Sequence, residues 1–220
     1  IPPIKLYKSF KLNEELIHMI ESNVRLPKLV LGDLFAMVST INSIKSSINN
    51  LNKSISNLNF ESIANEYSPR MKKAFKKEIE KFPKGSFSSE IKVDGILTEK
   101  EEEKRKDIAL KAKIEIKKDK IVVDYSGTDK QRERQPINVP YSYTMADTFY
   151  AIQYILFGKI PNIGTQYCPI EIILDENSIL NASKPFPVYA RTRTGIHISS
   201  LINLSLIHIS EPTIQEAISY

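Results

Sequence analysis

The chain has 220 residues, 41% of them hydrophobic and 26% charged, with a formal charge of +5. This is an ordinary globular composition, enough for one large domain or two small ones. It excludes a membrane span, since no apolar run approaches the roughly 18–20 residues required; its single cysteine, Cys168, excludes an internal disulfide and any multi-cysteine zinc cluster.

The opening segment, IPPIKLY, reads as an extended arm or short strand, and as the interior of something longer rather than a true start. NEELIHMIES then sets Leu16, Ile17 and Ile20 on one side of a short amphipathic helix. His18 lies on its polar side, a solvated residue rather than a ligand. Next, Leu34, Val38, Ile41, Ile48, Leu51, Ile55 and Leu58 recur at spacings that predict one long helix. That helix should run for about six turns or more. Its other face is rich in Ser and Asn, so it depends on packing more than on propensity.

Phe60 to Phe82 predicts a further helix or helix pair, with Pro69 as a break or a first-turn residue. Met71, Phe75, Ile79 and Phe82 fall at helical spacing, which places the lysines of RMKKAFKKEIEKFPK on the wet face. That segment holds most of the positive excess. Duplex binders neutralise about 6–10 phosphates with converging cations. Here Glu78 and Glu80 interrupt the run and EKEEEKRK (Glu99 to Lys106) is charge-balanced, so no nucleic-acid partner is expected.

After FPKGSF the period changes to two. SFSSEIKVDGIL, DIALKAKIEIKK and KIVVDYSG alternate as half-buried strands do, with a tight turn at Asp119-Lys120. TMADTFYAIQYILFG returns to helical spacing and stops at Gly158. PIEIILDENSILNAS predicts two short strands around a turn, and TRTGIHISSLINL a last helix. Cys168, in TQYCPIEI, reads as a packed, inert thiol. The expected class is α+β: N-terminal helices including one long helix, then an antiparallel sheet with further helices, all an incomplete part of a larger domain.

No phosphate loop, G-x-G-x-x-G, H-E-x-x-H or G-x-S-x-G occurs in the chain. Six stretches, in order, resemble the middle of the hydantoinase B/oxoprolinase family: IPPIKL, NVRLPKLVLGDLFA, FPKGSFSSEIKVDG, VDYSGTDKQRERQPINVPYSYTMADTFYA, IPNIGTQYCPIEI and ILNASKPFPVYA. The likeness covers Ile1 to Asn203. Two departures stand out: Met37 follows Ala36 where the family usually has Gln, and Arg134-Gln135 precede Pro136 where a Gly is customary.

The resemblance implies one subunit, or one half, of an ATP-dependent 5-oxoprolinase or N-methylhydantoinase acting on a small cyclic amide. A subunit of an acetone or acetophenone carboxylase is the alternative within the family, and a non-enzymatic helical scaffold the alternative outside it. ATP is then held by a hydantoinase A-like partner subunit. A divalent metal is expected in an H-x-x-D-x-G-G stretch upstream of Ile1, with no metal or cofactor bound by these residues. The implied location is the cytoplasm, which a single unpaired cysteine suits. Alone, the chain is expected to be inactive and to expose apolar surface.

Seven residues are candidates for a substrate-site or interface role: Arg25, Asp33, Asp124, Thr128, Gln131, Asn138 and Asn162. No catalytic residue is assigned. Asp33, after Gly32, reads as a helix N-cap worth about 1 kcal/mol; with Arg25 it alternatively orients a substrate-site element. In the loop after the third strand, Gly127 suits a positive φ, while Asp124 and Thr128 suit turn hydrogen bonds. Gln131 and Asn138 offer both donors and acceptors. Such a loop either satisfies its own backbone on the way from sheet to helix, or walls a cavity or partner site. Asn162 and Gly164 pose the same choice.

The end of the chain changes character. LSLIHISEPT (Leu204 to Thr213) is what the adapter of transposase-based sequencing libraries encodes in this frame. Residues 204–220 are therefore expected to be adapter-derived rather than native, with His208 and Glu211 carrying no chemistry. The other reading is an amphipathic helix continuing HISSLINL.

Overall fold

The computed structural model describes residues 4–55, 59–95, 107–158, 160 and 168–218, the side chains of 208–218 excepted. The chain divides into two compact units, Ile1–Glu61 and Ser62–Tyr220.

The first unit begins with a small antiparallel hairpin, β1 (Tyr7–Lys8) and β2 (Lys11–Leu12). Its turn residues, Ser9 and Phe10, both adopt positive φ, of 48° and 65°. Helix α1 (Glu14–Asn23) follows; the Asn13 side chain accepts from the Leu16 amide, and Glu14 and Glu15 face the positive end of the helix dipole. Helix α2 runs from Pro27 to Ser54, 28 residues, or about 42 Å at 1.5 Å per residue. Pro27 supplies its first turn, where no amide hydrogen is needed.

Two expectations meet corrections here. Asp33 lies well inside α2, because Pro27 has already started the helix; Asp33 therefore caps nothing. The long apolar seam forms, yet no residue of α2 is buried: Ile41 is 64% exposed and Ile44 54%. Leu58 lies outside the described residues.

Helix α3 (Phe60–Ile79) crosses the boundary between the units. Pro69 neither breaks it nor opens it, since the helix passes through. Both Pro69 and Asn65 are exposed, so water can satisfy the carbonyl that the proline leaves unpaired. Met71, Phe75 and Ile79 are buried as their spacing demands, and Phe82 packs against the same core.

The second unit is built on the sheet β3-β4-β5-β6. Strands β3 (Gly85–Val93) and β4 (Ile108–Ile116) pair antiparallel over their whole length, Gly85 opposite Ile116 and Val93 opposite Ile108. Strand β5 (Ile121–Asp124) continues antiparallel beyond the turn at Asp119-Lys120. Helix α4 (Tyr141–Leu156) then carries the chain over to β6 (Ile170–Ile173). That crossover makes β6 parallel to β5, so the sheet is mixed rather than purely antiparallel. The second strand expected in PIEIILDENSILNAS reduces to one bridge between Ser178 and Lys130.

Alternation decides which face is dry. Ile108, Leu110, Ala112, Ile114 and Ile116 of β4 are all buried, and the intervening residues include Lys111 and Lys113 on the open face. Helices α4 and α5 (Thr192–Ile218) cover the dry side, where Ser89 donates to the Leu201 carbonyl and accepts from Ser205. The Phe75 and Phe157 rings meet edge-on at 5.1 Å, joining α3 to the end of α4.

Replacing Phe75 with Ala should cost about 3–5 kcal/mol, because the ring leaves a cavity in a closed core. Ile41→Ala, on an exposed face, should stay within about 0.5 kcal/mol. Denaturant midpoints followed by circular dichroism check the contrast, and equal losses would contradict this placement of the core.

Candidate functional site

The loop from Asp124 to Pro140 forms a hydrogen-bonded frame rather than an open surface segment. Asp124 accepts from the Ser126 amide at 2.9 Å, an Asx turn. Gly127 takes φ 81° and donates its amide to Asp175 at 2.9 Å. The Thr128 hydroxyl accepts from the Lys111 amide and donates to the Lys111 carbonyl, fastening the loop to β4. Asp129 repeats the device one residue on, accepting from the Ala109 amide at 3.1 Å.

Farther along, the Gln131 amide group reaches Asn177 at 3.1 Å and Ser183 at 3.2 Å, and its oxygen accepts from the Ser183 amide. Asn138 is the centre of the frame and has no solvent exposure. Its oxygen accepts from the Arg132 amide at 2.6 Å, and its nitrogen donates to the carbonyls of Arg132, Gln135 and Pro187 at 2.8, 3.0 and 2.8 Å. Two stretches distant in sequence, 124–140 and 175–188, are thus sewn together by side-chain amides. Nearby, the buried Tyr125 hydroxyl pairs with Thr148 at 2.7 Å, and burial pushes its pKa up.

The seven candidates therefore divide. Thr128, Gln131 and Asn138 spend their polar groups on the frame. Asp124 does so too, while also lining a shallow polar cavity of about 400 Å³ with Lys111, Lys113 and Glu90 on the open face of the sheet. Arg25 sits exposed in the connection between α1 and α2. Asp33 lines a groove of about 610 Å³ between those helices, whose walls are Met19, Ile20, Leu34 and Met37. Asn162, with Gly164, lies outside the described residues.

Sequence reasoning missed Asp129, Asn177 and Ser183. The left-handed φ of 59° at Asn177 belongs to the DENS turn, the one local signal that could have drawn attention to it. Among the described residues no three of His, Cys, Asp and Glu converge as metal ligands. His18 is exposed, 3.4 Å from Glu21. Cys168 is buried, and that burial pushes its thiol up to about 12.

A sequence profile of the hydantoinase B/oxoprolinase family matches residues 1–214. The chain belongs to this family. Across 94% of its length it is 32% identical to an uncharacterised protein of Methanocaldococcus jannaschii, and 23% identical to the B-type subunit of a putative D-/L-hydantoinase of a Pseudomonas species. It spans about a third of those relatives, 35% and 36% of their lengths.

The same fold occurs in two larger solved structures. An ATP-dependent caprolactamase from Pseudomonas jessenii superposes with a TM-score of 0.74 at 17% identity, covering 95% of this chain and 35% of that one. An acetone carboxylase gives 0.72 at 13% identity, covering 87% and 26%. The chain thus shares its fold with part of each of these two proteins.

Two measurements test the site's chemistry. Asn138→Ala strands several buried backbone groups and should cost at least about 2 kcal/mol, whereas Asp124→Asn retains an acceptor oxygen and should cost under about 0.5 kcal/mol. Reversal of that order in urea titrations would overturn the framing role. For Cys168, the folded thiol holds its proton from an ordinary 9.0 up to about 12. In that window the unfolded chain has released its proton, so stability falls as pH rises. Cys168→Ala should flatten the decline, leaving the shares due to the buried Tyr125 and to Lys120, which Glu171 holds above its ordinary range; an unchanged slope would contradict the burial.

Proposed function

We propose that this chain is part of the B-type component of an ATP-dependent cyclic-amide hydrolase of the 5-oxoprolinase or N-methylhydantoinase kind. The observation that carries the reading is the family match over residues 1–214. The putative hydantoinase among its relatives and the fold shared with an ATP-dependent caprolactamase support it. In chemical terms, a ring amide resists water because its carbonyl is deactivated by the nitrogen. Transfer of the γ-phosphoryl group of ATP to the carbonyl oxygen releases ADP and leaves an activated adduct; one water then breaks the ring C–N bond and a second frees phosphate, leaving the ring-opened acid.

ATP belongs, in this reading, to a hydantoinase A-like partner subunit, because no phosphate loop occurs in this chain. The divalent metal belongs, in this reading, to residues upstream of Ile1, as the family resemblance implies. The work of these residues is then to form walls and contacts. The 124–140 frame is rigid enough to hold a cavity wall. The uncovered apolar stripe of α2 suits a segment that functions inside a larger assembly. No helix among the described residues is long and apolar enough to cross a membrane; the cytoplasm is the proposed location.

A second reading, a subunit of an ATP-dependent ketone carboxylase, is supported by the fold shared with acetone carboxylase. Co-expression with an ATP-binding partner subunit separates the two. Release of ADP that depends on 5-oxoproline or hydantoin is expected. Release that depends on acetone and bicarbonate instead would replace the first reading by the second. Without the partner, the 220-residue chain should turn over neither substrate; measurable turnover by it alone would contradict the proposed division of labour.

A further inference from the structure

Helix α2 carries a stricter repeat than a face against an ordinary core requires. Leu34, Ile41, Ile48 and Ile55 recur every seven residues, and Val30, Met37, Ile44 and Leu51 each stand four residues before one of them. Beyond Val38 the positions flanking this seam are Thr40, Lys45, Ser47, Asn52 and Ser54, all polar. A repeat of about 3.5 residues per turn drifts off the face of a straight helix, and it keeps its register only against a second helix wound around the first. The seam is therefore cut for another helix.

Its two halves differ. In the first, Val30, Leu34 and Met37 look across the groove of about 610 Å³ to Met19, Ile20 and Val24 on the α1 side. In the second, Ile41, Ile44, Ile48, Leu51 and Ile55 are 38–64% exposed, with no such wall beside them among the described residues. One half is an unfilled slot and the other an uncovered ridge.

We propose that a second copy of this chain covers the seam, its α2 running antiparallel about a two-fold axis. Leu34 then meets Leu51 of the second copy, Met37 meets its Ile48 and Val30 its Ile55, while Ile41 meets Ile44 at the centre. Each pair occurs twice by symmetry. The residues that enter the slot beside α1 are those of the bare ridge, so a single contact satisfies both halves. A parallel pair would set slot against slot and leave the ridges without α1. The only charges flanking the seam, Asp33 and Lys45, fall opposite Ser54 and Val38 of the second copy, so no like charges meet. Seam, flanks and α1 wall together offer about 20 residues a side, the size a stable interface takes. The inference does not depend on the reaction class proposed above.

Sedimentation of the intact chain across a concentration series tests it, with a dimer of twice 25.1 kDa expected. Ile44→Asp, at a position 54% exposed in the single chain, should raise the dissociation constant at least about a hundredfold, because the symmetry buries the carboxylate twice. Ser46→Asp, on the outer face of the same helix, should leave it unchanged. Nitroxide labels on Lys28→Cys, in a Cys168→Ala background, should sit about 40 Å apart in the antiparallel pair. The small cost given above for Ile41→Ala then applies below the dissociation constant, where the chain is single. Overturning results are a monomer at every concentration, wild-type association of Ile44→Asp, labels closer than about 20 Å, or a seam occupied only when an ATP-binding partner subunit is co-expressed. Circular dichroism confirms that each variant is folded.

Discussion

Strand β4 carries the second unit. From Ile108 to Ile116 every other residue is aliphatic and nearly every one of these is wholly dry, so one face of the strand has a single way to lie. Slipping the register by one residue would drive Lys111 and Lys113 into the core and turn the isoleucines to water. That penalty fixes β3 on one side and β5 on the other. It also fixes the surface on which α4 and α5 settle. Phe75, Ile114, Ile152 and Leu201 are buried in the same cluster, so α3 and both later helices answer to the same strand.

The loop that follows β5 shows how polar groups are accommodated beside so dry a core. A buried amide side chain is costly unless its donors and acceptors are all used. Asn138 meets that condition by binding backbone on both of the stretches it joins. Thr128 and Asp129 do the same toward β4. The dense hydrogen-bonding grammar of this loop is thus spent within the protein.

The first unit is held differently. Helix α2 has an apolar stripe of the period expected for a buried seam, but nothing in its own unit covers it. Its contacts run to α1, where they leave an open groove rather than a closed core. Such a stripe is stable as helix only in company, since its Ser and Asn residues contribute little propensity. The chain spans about a third of the relatives it matches, and the proposed role inside a larger assembly accords with that uncovered face.

Sequence alone determined what is periodic or stereochemical. The buried face of α3, the alternation of β3 and β4, the positive φ at Gly127 and the stop of α4 before Gly158 all follow from spacing or from the covalent limits of one residue. Strand β5, expected to alternate, instead has Ile121, Val122 and Val123 all buried, because both of its faces are covered. Family membership was legible as well, because six stretches stood in order. Tertiary structure decided the rest. It placed β6 parallel to β5, since strand direction depends on where a crossover helix lands and not on the strand's own residues. It put Asp33 inside a helix, since a proline earlier in the chain had already supplied the start. And it joined the stretches 124–140 and 175–188 through Asn138, although nothing local links them: contacts between distant segments are set by how the core closes, and periodicity carries no record of that.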